Sequence, residues 1–148
     1  MPTTYLPPEH HIARHIKPRL VQRDEETNEP IGIFPEAFQL RDAERDLSVN
    51  WLEHFRGDRT EQLRQVIAHS ELKLKARDGF GVLQVGVVSE ICERHGAKVR
   101  IIHDPTPKNP AHAGVHRYPR GNFALEAALA NLAGQELTMV GNVMKASG

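Results

Sequence analysis

The sequence predicts a single α+β domain: a mixed or antiparallel sheet of about five to six strands, partly covered by three to four helices. Three observations lead there. Stretches of period-2 and period-3.6 hydrophobicity are interspersed without the strict strand–helix alternation of a parallel α/β fold. A chain of 148 residues is the usual size of one domain and buries enough surface for one core. No internal repeat or low-complexity tract divides it.

Pro2, Pro7 and Pro8 predict an extended arm over residues 1–8, because proline removes amide donors and restricts the residue before it. The domain proper is expected over residues 9–140. Between His10 and Gln22 the pattern wavers, but Pro18 opposes a helix, and a strand or two short extended pieces is expected. Arg23–Pro30 is polar and acidic and reads as a hairpin or loop leading to Ile31–Phe34. Ala37–Leu40 is expected as another short strand. Leu47, Trp51, Leu52 and Phe55 stand at helical spacing, so Asp42–Phe55 predicts a helix with Trp51 in the core. Thr60 offers a cap for a second helix, through about Ser70, on Leu63, Val66 and Ile67.

Glu71–Arg77 alternates, with Leu72, Leu74 and Ala76 on one face and Lys73, Lys75 and Arg77 on the other, and predicts a half-buried strand. Asp78-Gly79 is a turn signal. Phe80–Val88 reads as a central strand entering a helix near Ser89, which carries Cys92 and stops at Gly96. Val99–His103 is a buried strand. Asp104–Pro110 contains Pro105, Pro107 and Pro110 and predicts a rigid loop, after which Ala111–Tyr118 returns as a strand. Phe123–Ala133 is rich in alanine and leucine and predicts a helix closed by Gly134. Leu137–Val140 is a last short strand, and residues 141–148 a flexible tail.

Composition narrows the functional classes. Basic and acidic residues number 19 each, so the formal net charge is zero, which argues against nucleic acid as the main partner. Residues 1–60 carry eight basic against eleven acidic groups, and residues 61–148 the reverse. The start lacks a secretory signal pattern and no apolar run approaches a membrane span, so a cytoplasmic chain with no membrane partner is expected. The lone Cys92 permits no internal disulfide. Gly79-Phe-Gly-Val departs from G-x-G-x-x-G and opens a strand, so a dinucleotide loop is rejected.

Nine histidines form the most unusual feature. His103 and Asp104 stand where a strand meets the proline loop, and His112 and His116 follow on the returning strand. Imidazole and carboxylate are the ligands of zinc, iron or manganese in open sites. This set is therefore the candidate divalent-metal site, with His103, Asp104 and His112 as candidate catalytic groups. The spacing demands that Gly114 bend the strand if His116 is to join. The plainer reading makes His103 a loop cap and His112 and His116 half-exposed strand residues. His10, His11 and His15 lie beside Arg14, Lys17 and Arg19, a candidate anion site to which Lys73, Lys75 and Arg77 would add. The plainer readings are a solvated edge strand and a solvated strand face. The leading expectation is a small intracellular binding or accessory module acting with a protein partner, with a homo-oligomer compatible with it. The rival is a metal- or histidine-dependent enzyme acting on a polar or phosphate-containing substrate through residues 103–116.

Overall fold

In the computed structural model, which describes residues 2–146, the strands are β1 (His11–Ile16), β2 (Val21–Arg23), β3 (Pro30–Ile33), β4 (Leu47–Trp51), β5 (Gly79–Gln84), β6 (Arg100–His103), β7 (His112–His116) and β8 (Leu137–Met139). The helices are α1 (Arg59–Ala68), α2 (Val85–Arg94), α3 (Phe123–Gly134) and α4 (Val140–Ala146). Six strands form one sheet in the order β6-β7-β4-β1-β5-β8, every pairing antiparallel, while β2 and β3 form a separate hairpin. The fold is α+β, with the antiparallel alternative of the expected sheet. Among the described residues no helix is long and apolar enough to cross a membrane.

The two faces of the sheet follow from side-chain alternation. Ile12, Ile16, Leu47, Val49, Leu83, Ile101 and Val115 face one side and pack with residues of α2, α3 and the β2–β3 hairpin in the larger core. Ala13, Phe80 and Val82 face the other, where Leu63 and Val66 of α1 and Val140 and Val143 of α4 make a smaller core. Asp58 caps α1 by accepting the Glu61 N–H, and Asn122 caps α3 by accepting from Leu125. Helix α3 lies so close to β5 that a Cβ at Gly81 would stand 2.9 Å from that of Ala133, so the approach requires glycine.

Several elements differ from expectation, each for a physical reason. Leu47–Trp51 is a strand, followed by a single tight turn over Leu52–His54, rather than a helix. A spacing of four is even, so Leu47 and Trp51 suit one strand face as well as a helix stripe, and Val49 between them fits the strand alone. Ala37–Leu40 is no strand; Pro35 opens a one-turn helix over Pro35–Phe38. Glu71–Arg77 finds no partner strand and crosses as an irregular segment with Leu72 exposed. Helix α2 begins at Val85, because Val85, Val88, Ile91 and Cys92 form a buried helical stripe hidden within a β-branched run. Strand β6 is an edge strand, half-exposed rather than buried. Residues 141–146 belong to α4, and 147 and 148 lie outside the described residues. Residues 4–6 of the expected arm pair along β6, with the His103 N–H bonded to the Thr4 carbonyl and the Leu6 N–H to that of Ile101.

Cys92 is fully enclosed by the larger core, and burial pushes its thiol up to about 11. A thiol reagent at neutral pH is expected to label the native protein far more slowly than the urea-unfolded chain. Equal rates would show that α2 presents a different face.

Candidate functional site

The site begins where the sheet splits. Strands β1 and β4 pair only at Ile12↔Trp51 and Ala13↔Asn50, after which β1 follows β5 alone. The split leaves the Ser48 N–H and C=O without a strand partner, and buried backbone groups must be satisfied. Two side chains fill the gap. Arg14 donates to the Ser48 carbonyl at 2.9 Å, and Glu44 accepts the Ser48 N–H at 2.9 Å. Arg14 and Glu44 pair at 2.8 Å, and Arg14 also donates to the carbonyls of Ala37 and Gln39. Burial alone would raise the Glu44 carboxyl, but the Arg14 guanidinium and the amides of Arg41 and Ser48 outweigh it and hold the group at about 2.

Beside the split, His15 and Phe80 face one another across β1 and β5 on the side of the smaller core. Asp78 ends the irregular 70–78 segment. Its Oδ2 accepts the Lys75 N–H at 2.8 Å, which leaves Oδ1 aimed at His15 Nε2, 2.7 Å away. Burial lowers the His15 pKa, and this outweighs the upward pull of Asp78. The neutral ring therefore donates Nε2–H to Asp78 and presents Nδ1 as an acceptor.

His15 lies in the wall of a cleft of about 240 Å³, whose lining includes Arg41, Asn50, Leu72, Leu74, Asn109 and His112. The proline loop reaches over from the other side. Thr106 donates to Glu71 at 2.6 Å and accepts the Asn109 N–H at 3.1 Å, tying the two loops together. Asn109 is only 8% exposed and directs its amide N–H to Asn50 Oδ1 at 2.8 Å. Two residues of the lining each enclose an acceptor that has no hydrogen-bond partner among the described residues, His15 Nδ1 and Asn109 Oδ1. Arg41 adds a half-buried guanidinium that donates from Nη2 to the His15 carbonyl at 3.4 Å.

The residues singled out by sequence are distributed differently. Pairing of His103 with Ala113 puts His103 on the face opposite His112 and His116. His103 donates through Nε2 to the Pro110 carbonyl at 2.7 Å, as a loop cap would. His112 bonds through Nδ1 to the Asp104 backbone carbonyl at 2.8 Å, while the Asp104 side chain is exposed. His116 folds back over Gly114, with Nε2 3.2 Å from where a Cβ would stand. Gly114 thus makes room for a ring, and β7 runs through it as a regular strand. These residues do not converge, and no group of three or more His, Cys, Asp or Glu able to hold a metal occurs among the described residues.

Of the basic residues, Arg14 spends its donors inside the fold, and its anion is Glu44. Lys17 and Arg19 line a separate depression together with Arg41, Glu36 and Asp42. Lys73, Lys75 and Arg77 are exposed on the irregular segment. A second cluster surrounds Trp51, which is half-buried instead of a core residue. Its indole N–H donates to His10 Nδ1 at 3.0 Å, and the rings of His54 and His103 lie 5.8 and 5.1 Å from its own.

Sequence reasoning missed Asp78, Asn109 and Arg41. The one local signal was an aspartate placed directly before an apolar strand. Comparison with family models, curated proteins and solved structures yields no match for this chain.

Proposed function

We propose that this chain is a small binding module that acts inside the cell with a protein partner and meets that partner at the cleft beside the split sheet. One observation carries the reading: a single open cleft gathers His15, Arg41, Leu72 and Asn109 from four separate parts of the chain. The exposed Leu72 at the cleft supplies apolar contact. A formal charge of zero favours recognition by shape and hydrogen bonds over long-range attraction.

A photo-crosslinking residue at position 72, expressed in the native host, tests this. The expected result is a discrete adduct that disappears in Asn109→Asp and is not formed from position 93, an exposed site on α2. An adduct indifferent to Asn109, or none specific to position 72, overturns it.

A histidine-dependent enzyme is the second reading, favoured by His15 in the lining of the same cleft with Asp78 bonded behind it. Asp78 would orient the ring, and Nδ1 would serve as general base toward a polar substrate. In that case His15→Gln abolishes turnover yet leaves crosslinking from position 72 intact.

A further inference from the structure

We propose that His11, held by Glu53, is a general acid–base group that hydrolyses neutral carboxylic esters in a groove separate from the first cleft. The inference goes beyond the binding reading and does not depend on it.

Three imidazoles pair with carboxylates among the described residues: His15 with Asp78, His116 with Asp46 and His11 with Glu53. In the first two the second ring nitrogen is enclosed by protein. His11 differs. Glu53 accepts the His11 backbone N–H at 2.7 Å and bonds to Nδ1 at 2.6 Å, so both carboxylate oxygens hold one residue. Burial alone would raise the Glu53 carboxyl, but these bonds outweigh it and keep the group below the usual carboxylate range. An ionised carboxylate only accepts, so Nδ1 carries the proton and Nε2 the lone pair of the neutral ring. Nε2 is not among the enclosed atoms, and the side chain keeps 29% of its surface. Glu53 follows β4 on one side of β1, and β5 lies on the other. The two nitrogens leave the ring in diverging directions, so Nε2 turns toward β5 and the groove along it.

That groove, of about 450 Å³, shares no lining residue with the first cleft. Val82, Val87 and Leu132 give it an apolar wall, and Gln84 and Gln135 bring amide donors. Its one carboxylate, Glu136, accepts from Arg59 at 2.8 Å. Among the described residues no lysine or arginine lines it, so an anionic substrate finds no counter-charge there and a neutral one is favoured. With an ester in place, Nε2 takes a proton from a water as the water oxygen bonds to the carbonyl carbon. Glu53 stabilises the imidazolium, and the amides of Gln84 and Gln135 are the donors at hand for the carbonyl oxygen. The C–O bond to the alcohol then breaks, and Nε2–H returns its proton to the leaving oxygen. Ester and water become acid and alcohol, with no other reactant.

The test is hydrolysis of 4-nitrophenyl butyrate by the full chain. His11→Gln should lower the rate about a hundredfold, the lower end for one proton-transfer group, with the other histidines left in place as background. In the unaltered protein, loss of activity on treatment with diethyl pyrocarbonate should track modification of His11 in peptide mass maps, a readout that needs no variant to fold. Glu53→Gln presents an amide N–H to Nδ1, so it should move the ring proton to Nε2, visible by ¹⁵N NMR, and lower the rate at least tenfold. KM should be severalfold lower for the butyrate than for the acetate, because of the apolar wall. A rate unchanged in His11→Gln, or lost while His11 stays unmodified, overturns the proposal. Loss of rate in Glu53→Gln with the tautomer unchanged overturns the positioning role of Glu53. Equal KM values overturn the groove as the substrate site, and His11-dependent turnover of 4-nitrophenyl phosphate overturns the choice of a neutral substrate.

Discussion

Replacing Arg14 by methionine is expected to destabilise the protein by about 3–5 kcal/mol, the usual consequence of removing one member of a buried ion pair. Arg14 is 1% exposed and holds Glu44 and three backbone carbonyls. Without it the Glu44 carboxylate is enclosed beside an open seam in the sheet. The pair also makes stability depend on pH. Glu44 titrates at about 2 in the folded chain against an ordinary 4.5. A depressed carboxyl stabilises the fold fully above its unfolded pKa, and that stabilisation is lost as pH falls toward the folded value. Urea unfolding should therefore show a decline between about pH 4.5 and 2, worth about 3 kcal/mol at one pKa unit per 1.36 kcal/mol. Glu44→Gln should flatten that decline. An unchanged acid limb in this variant would assign the pH dependence to other carboxyls.

Phe80→Ala should cost a comparable 3–5 kcal/mol, as truncations of fully buried aromatic rings do. Phe80 is 1% exposed and belongs to the smaller core with Leu63, Val66 and Val140. Its ring also packs against His15, with centroids 6.1 Å apart. The resulting void would admit water to the imidazole and relieve the burial that depresses its pKa. Titration of His15 by NMR should then show a midpoint nearer the ordinary 6.5. Destabilisation with no change at His15 would mean that other groups control its burial.

The parts of the fold that were legible in the sequence were those fixed by neighbours in the chain. Helix α3 announced itself through its alanines and leucines, and the return of β7 after Asp104–Pro110 through prolines and alternation. Elements that depend on distant partners were not legible. Lys73, Lys75 and Arg77 alternate with apolar residues as a strand would, yet the segment pairs with no strand among the described residues. The site is less readable still. His15 and Asp78 are 63 residues apart, and Arg14 and Glu44 are 30 apart. Nothing local distinguishes an arginine that closes a seam from one that faces solvent. Histidines 103, 112 and 116 lie close along the chain, but strand pairing sends His103 to one face and His112 and His116 to the other, and only the register decides that.

The pairing of residues 4–6 with β6 has a consequence for handling the protein. Strand β6 terminates the sheet, and its outward amides and carbonyls are taken up by the beginning of the chain. A variant trimmed at residue 8 would bare a hydrogen-bonding edge that can zip onto the same edge of another molecule. Self-association in shortened forms would then report a lost seal and not a native assembly. A tag is better attached behind α4, away from the edge that those first residues close.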